Sequence, residues 1–267
     1  MAPLGDNMRG ALWMAVAMAG LALNDALMKS VSEEIPAFQA IFVRGLVGTL
    51  AIGIFAFASG AIVHLPHGRD RLMFGYRAIF EVATTSFFLI ALYNMPLANV
   101  TAIMQAVPLM VTLAAAWLLG HSIGWRRYIA IGLGFLGVML IIRPGGAGFN
   151  SYSFLGLAAA LSLTFRDIAT RVVSATLPTP QITLISFLAI TLFAGFVTLL
   201  SDWEPMRWEV TARLAIAGLL FLIGINAGII GMRTGDVGVV SPFRYTQLVW
   251  ALILGLVIFG AVPDWLT

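Results

Sequence analysis

The feature that most constrains this chain is a succession of long segments almost free of charge. A bilayer core of about 30 Å takes roughly 20 apolar residues per helix. On that ruler nine segments are candidate spans: residues 9–28, 35–59, 72–94, 97–119, 125–142, 152–173, 181–200, 211–232 and 237–260. The charged residues number only 15 Lys and Arg with 12 Asp and Glu in 267, too few to cover a soluble globule of that length. The chain therefore reads as an all-α integral membrane protein. A soluble enzyme, a disordered chain and a disulfide-stapled secreted domain are excluded.

Most connections are short and rich in Pro, Gly and small polar residues, as at Met95-Pro96 and Arg143-Pro144-Gly145-Gly146. The two longest, residues 60–71 and 201–210, are too short for a soluble domain. Arg9, an apolar run and Ala17-Met18-Ala19 loosely imitate a secretory signal peptide. The repeat described next makes this segment the first helix of the bundle instead.

Shifted by 142 positions, residues 8–39 fall on residues 150–181. Identities then appear at Ala17/Ala159, Leu21/Leu163, Asp25/Asp167, Val31/Val173, Ser32/Ser174, Pro36/Pro178 and Gln39/Gln181, and Lys29 meets Arg171. Apolar matches are cheap in a membrane chain; matches of Asp, Pro and Gln are not. A second register, shifted by 140, aligns Val100/Val240, Thr101/Ser241, Gly120/Gly260 and Trp125/Trp265. One duplication with a two-residue indel gives both offsets.

The unit has five helices, so the second copy enters the membrane from the opposite side. The expected fold is an inverted repeat of two five-helix bundles, residues 1–143 and 144–267. Nine helices are visible of ten, and the expectation is a chain cut before the tenth. Inverted repeats of this kind build two exchangeable gates around one central site. Orientation follows from charge. With the N-terminus inside, Arg9, Arg69, Arg71, Arg126, Arg127, Arg171 and Arg233 are cytoplasmic, against Lys29, Arg143, Arg207 and Arg213 outside. The expectation is a multi-pass protein of the cell (inner or plasma) membrane with a cytoplasmic N-terminus.

Polar residues inside the spans are the candidate site, because a charge at mid-bilayer costs about 2.5–3.5 kcal/mol on insertion scales and usually faces a wet cavity or a partner. Asp25 and Asp167 are the repeat-related pair, preceded by Asn24 and Arg166. They read as gate or substrate contacts, or as interfacial carboxylates that cap a neighbouring helix or pair with Lys29 or Arg171 four positions on. Arg77 and Glu81 lie four apart on one helix face and can pair. Arg44, with no local acid, reads as a tie to backbone carbonyls or to Asp25. Arg244 follows Ser241-Pro242, with Tyr245 and Gln247 close by, and a kink there offers a cavity-facing guanidinium for a substrate carboxylate. Its counterpart carries Gln105 and Pro108. Asn226 and Gln105 serve either the cavity or helix–helix hydrogen bonding. Trp13, Phe80, Tyr93, Phe165 and Trp250 offer stacking surfaces, or simple packing. Gly45, Gly48, Gly132, Gly134 and Gly137 are read as close helix contacts.

Zero cysteines exclude Cys-based catalysis and Cys-type metal sites. No Gly-Lys-Ser/Thr phosphate loop, Gly-x-Ser-x-Gly or His-Glu-x-x-His is present, and His64, His67 and His121 fall in loops. No enzymatic activity, cofactor, metal, nucleic acid or obligate protein partner is expected; the partners are a small-molecule substrate and the lipid bilayer. A channel is the remaining alternative of another class.

Several further runs carry a family likeness: residues 95–103 leading to Gln105 and Pro108, Gly120 to Trp125 before Gly132-Leu133-Gly134-Phe135-Leu136-Gly137, and in the second half Gly235-Asp236-Val237-Gly238 and residues 260–265. With the five-helix inverted repeat and Asn24-Asp25, the chain resembles the drug/metabolite transporter superfamily, more narrowly its EamA-type exporters of amino acids and other small metabolites. The resemblance implies ten helices, cytoplasmic termini and a cavity lined by the first, third and fourth helices of each half. It implies a secondary transporter, working by alternating access, that exports amino acids, including neutral or aromatic ones. Polyspecific drug or metabolite efflux, or nucleotide-sugar or lipid carriage, are the rivals of that reading. Proton coupling would need Glu81, Asp25 or Asp167 to titrate; facilitated diffusion would need none.

Overall fold

The computed structural model describes residues 4–61, 68–119, 124–142, 151–172, 178–235 and 237–262. All regular structure among them is helical: α1 (Leu4–Ser30), α2 (Ala37–Ala58), α3 (Gly68–Asn94), α4 (Leu97–Met104), α5 (Val107–Leu119), α6 (Trp125–Ile142), α7 (Tyr152–Val172), α8 (Thr179–Leu199), α9 (Trp208–Thr234), α10 (Val237–Val240) and α11 (Thr246–Phe259), with a 3-10 segment over Ser241–Tyr245. These occupy the nine expected spans, and the chain is a multi-pass membrane protein. Seven stretches are long and apolar enough to cross a bilayer, among the described residues. The other two spans are α6, whose apolar stretch is Tyr128–Leu140, and α7, which carries Arg166 and Asp167.

Two spans are interrupted, the ninth of them where a kink was expected. The fourth breaks at Gln105 and Ala106 between α4 and α5, and the ninth breaks at the 3-10 segment that begins with Ser241-Pro242. Pro108 and Pro242 each lack the N–H that continues an α-helix, so both breaks have a local cause. They fall in repeat-matched helices, as one duplicated sequence requires.

The duplication is visible in packing. Helix α1 runs along α9, and its counterpart α7 runs along α3, the counterpart of α9. Helix α2 crosses its own counterpart α8. At that crossing Thr49 and Thr191 hydrogen-bond hydroxyl to hydroxyl at 3.1 Å. Phe42 of α2 packs over Gly195, and Leu184 of α8 lies 3.7 Å from where a Gly53 Cβ would be. Residues 42 and 184, and 53 and 195, are equivalents under the shift of 142, so the two contacts are one contact seen twice.

Glycines set how closely helices approach. A Cβ at Gly45 would strike Thr191, one at Gly48 would strike Phe187, and one at Gly134 would strike Leu109. Gly132 and Gly137 differ from expectation: nothing stands within 4 Å of where their Cβ would be, so they mark no helix contact among the described residues. Large apolar side chains such as Leu50, Phe57, Leu192, Leu199 and Val257 are exposed on the outside of the bundle, whereas Asn24, Asp25, Arg44 and Glu81 are buried. That reversal of the soluble pattern is the arrangement lipid solvates.

The ends of the helices are tied by polar contacts. Gln39 explains its place in the repeat: its Nε2 donates to the Glu204 carbonyl at 2.7 Å, and the Glu204 N–H donates back to its Oε1 at 3.1 Å. Arg213 Nη1 donates to the Ser30 carbonyl at 3.0 Å, and its Nη2 pairs with Glu34. His64, His67, His121, Arg143, Gly120 and residues 263–267 lie outside the described residues, as do the side chains of Arg69, Arg127, Arg171 and Arg233.

Candidate functional site

Two polar clusters stand inside the bundle, each anchored on the first helix of one half. They are built from repeat-equivalent positions but are wired differently.

The first centres on α1. Asn24 and Asp25 are both buried, at 1% and 6% exposure. Asn24 Nδ2 donates to Asp25 Oδ1 at 2.9 Å, and Gln247 of α11 donates to Asp25 Oδ2 at 3.3 Å. The break before α11 brings Gln247 to that carboxylate. Arg44 of α2 donates through Nη1 to Asn24 Oδ1 at 3.3 Å. Its guanidinium carbon lies 4.8 Å from the ring centroid of Phe221 on α9, a cation–π stack. The acid and the base thus both bond to Asn24 and not to each other.

Two of the alternatives read from the sequence are not seen here. Asp25 does not pair with Lys29, whose ammonium donates instead to the Leu92 carbonyl at 2.7 Å and sits 6.0 Å from the Phe259 ring centroid. Arg44 ties neither to a backbone carbonyl nor directly to Asp25, among the described residues. Four residues on from Asp25 is one helical turn, which brings Lys29 level with the end of α3, where a free carbonyl competes for it.

The second cluster joins α3 to α7. Arg166 donates to Asp167 Oδ1 through Nε at 3.1 Å and Nη2 at 2.8 Å, and through Nη1 to both Glu81 oxygens at 3.3 Å. Arg77 Nη2 stands 3.7 Å from Glu81, the pairing expected from their spacing. Its Nε donates to Ser186 of α8 at 3.1 Å and its Nη1 to the Thr170 hydroxyl of α7. Every nitrogen of both guanidiniums is engaged, so two cations and two anions form a closed set at the α3–α7 contact. Of the three carboxylates considered for proton exchange, Glu81 and Asp167 are ion-paired, while Asp25 has no guanidinium within 4.0 Å among the described residues.

The remaining candidates are scattered. Phe80 and Phe165 stack on each other, centroids 5.3 Å apart at 25°, so the faces between them are closed to a ligand. Asn226 donates to Leu222 of its own helix at 2.8 Å and bridges nothing else among the described residues. Gln105 stands at the α4–α5 break with its Nε2 buried and without a partner among the described residues. Arg244 and Tyr245 lie on the 3-10 segment beside α1; Arg244 is half-buried and makes no hydrogen bond or ion pair among the described residues. Sequence reasoning missed Phe221 and gave Arg44 a structural role. For Gln247 a signal existed: it is the residue 142 positions after Gln105, in the register of the first helices.

Among the described residues no group of three or more His, Asp or Glu is placed to hold a metal ion.

Residues 8–143 and 150–267 each match the EamA-like transporter family. The S-adenosylmethionine uptake transporter of Rickettsia prowazekii is 22% identical over 98% of this chain and 88% of its own length. The riboflavin transporter of Vibrio cholerae is 27% identical over 96% and 87%, and the pseudopaline exporter of Pseudomonas aeruginosa 26% over 97% and 90%. A solved crystal structure shares the fold with a TM-score of 0.69 and 21% identity, covering 96% of this chain and 90% of that one.

Proposed function

The chain belongs to the EamA-like transporter family, and from that premise we propose that it exports amino acids and related small metabolites across the inner membrane by alternating access of its two halves. The single observation that carries the substrate class is the presence of both signs of charge inside the membrane helices. Asp25 and Arg44 share Asn24, while Glu81 and Asp167 face Arg77 and Arg166. Intramembrane charges at such cost mark a substrate path by default. An amino acid carries an ammonium and a carboxylate at a fixed short spacing, which asks for partners of both signs. S-adenosylmethionine, named for one relative, ends in the same pair of groups. The charge bias of seven against four supports a cytoplasmic N-terminus.

A bulky ring-bearing metabolite is the second reading, favoured by the relatives named for riboflavin and S-adenosylmethionine. Counterflow into liposomes separates the two. Purified protein loaded with each unlabelled solute faces labelled neutral and aromatic amino acids, S-adenosylmethionine and riboflavin. Saturable exchange of amino acids is expected; exchange confined to riboflavin or S-adenosylmethionine selects the second reading, and exchange of none refutes both.

A further inference from the structure

The shift of 142 places Asn24 on Arg166 and Asp25 on Asp167. In the second half the base has moved onto the first helix itself, and it closes directly on its neighbouring acid at 2.8 Å. In the first half the base comes from α2 and an amide stands between it and the acid. We propose that Arg44 and Asp25, held apart by Asn24, are the two ends of the binding site for a zwitterion, the guanidinium taking the carboxylate and Asp25 the ammonium. The Arg166 set is a latch between α3 and α7. This rests on the transporter reading above and deepens it.

The unengaged valences of Arg44 carry the inference. Guanidinium has five N–H donors and is always charged. Arg44 is 4% exposed, yet only Nη1 donates, at the long distance of 3.3 Å; Nε is buried without a partner and Nη2 makes no bond among the described residues. A desolvated cation with its donors unmet is strongly unfavourable unless something else meets them. The Nε–Nη2 edge is the edge that grips a carboxylate in two parallel hydrogen bonds. A second unmet group lies within electrostatic range of the same guanidinium: the Tyr93 hydroxyl, buried without a hydrogen-bond partner among the described residues.

The surrounding packing holds the fork still. Gly218 lets α9 approach so closely that a Cβ there would stand 2.8 Å from the Arg44 carbonyl. One turn on, Phe221 stacks under the guanidinium; its ring is set by Phe187, centroids 5.5 Å apart at 63°. Phe187 in turn fills the notch left by Gly48. On the other side Gln247 and Asn24 each donate to one oxygen of Asp25, fixing the carboxylate without neutralising it. Asn24 sets the distance between the two charges. In Arg77 and Arg166, by contrast, every nitrogen already has a protein partner in a hydrogen bond or an ion pair.

The test uses three probes that share one ring: phenylalanine, 3-phenylpropionate, which lacks the ammonium, and 2-phenylethylamine, which lacks the carboxylate. Their dissociation constants for the full chain in nanodiscs are read by calorimetry. Arg44→Gln should weaken 3-phenylpropionate about tenfold or more and leave 2-phenylethylamine unchanged; Asp25→Asn should do the reverse. Arg44→Lys keeps a charge for folding but loses the fork, and should fall between wild type and Arg44→Gln. Unchanged 3-phenylpropionate binding in Arg44→Lys and Arg44→Gln overturns the assignment, as does loss of that binding in Arg244→Ala with Arg44→Gln intact. A wild type that binds the probes through Arg44 and Asp25 but exchanges no amino acid refutes the export reading and leaves this site standing. A wild type that exchanges amino acids but binds neither single-charge probe overturns the site alone.

Discussion

Thr49 and Thr191 donate and accept a hydrogen bond between their hydroxyls at 3.1 Å, and they are the same position of the repeat, 142 residues apart. A residue that touches its own equivalent lies on the pseudo-two-fold axis. When two inverted repeats exchange conformations, a contact on the axis maps onto itself and persists. A contact off the axis, such as Arg166 with Glu81, maps onto different residues and does not have to persist.

Side chains introduced at the crossing should be poorly tolerated, and those on open faces well tolerated. Gly45→Leu drives a side chain into Thr191 and should destabilise by about 1–3 kcal/mol through overpacking. Gly132→Ala and Gly137→Ala meet nothing within 4 Å and should stabilise by about 0.5–1 kcal/mol through helix propensity. Thermal unfolding in detergent ranks the three, and an equal effect of Gly45→Leu and Gly137→Ala would contradict the packing at the axis.

Arg166→Ala leaves Glu81 and Asp167 without the cation that joins them. It should lower stability by about 3 kcal/mol, the lower end for breaking a buried pair, since Asp167 is only partly buried. Adding Asp167→Asn to Arg166→Ala should recover part of the loss, because Asp167 is the charge left stranded while Glu81 keeps Arg77. A double variant no more stable than the single one speaks against the latch.

Gln39→Ala removes two hydrogen bonds to the backbone of Glu204. The expected loss is about 1–2 kcal/mol, with faster amide hydrogen exchange over residues 201–207 and unchanged exchange in α3 and α7. Uniformly faster exchange throughout the bundle would instead assign Gln39 to global stability.

Much of this fold was legible because a bilayer demands long apolar helices and a duplication repeats its rarer residues. Asp25/Asp167, Pro36/Pro178 and Gln39/Gln181 located the halves, and the structure gives Gln39 a loop to hold and Pro36 and Pro178 the residues before α2 and α8. The wiring of the site was less legible. In a membrane helix the lipid face and the packed face are both apolar, so no hydrophobic stripe shows which way Arg44 or Phe221 points. Spacing along one helix found Arg77–Glu81 but proposed Asp25–Lys29, which a carbonyl on another helix pre-empts. The 140-residue register set Gln105 against Tyr245, whereas the break at Ser241–Tyr245 is followed by Gln247 at the register of the first helices. The change from Asn24 to Arg166 between the copies was present in the sequence as the sign that the two clusters would differ.

The exchange of the two halves about the Thr49–Thr191 axis is the centre of the account, and the absence of native cysteines makes it directly testable. Two cross-linked proteins are compared in counterflow, one carrying Thr49→Cys with Thr191→Cys, the other Phe80→Cys with Phe165→Cys across the α3–α7 contact. With the disulfides formed, the first should exchange substrate at close to the wild-type rate and the second should stop, recovering on reduction. Arrest by the 49–191 cross-link, with free exchange through the 80–165 one, would contradict alternating access about this axis.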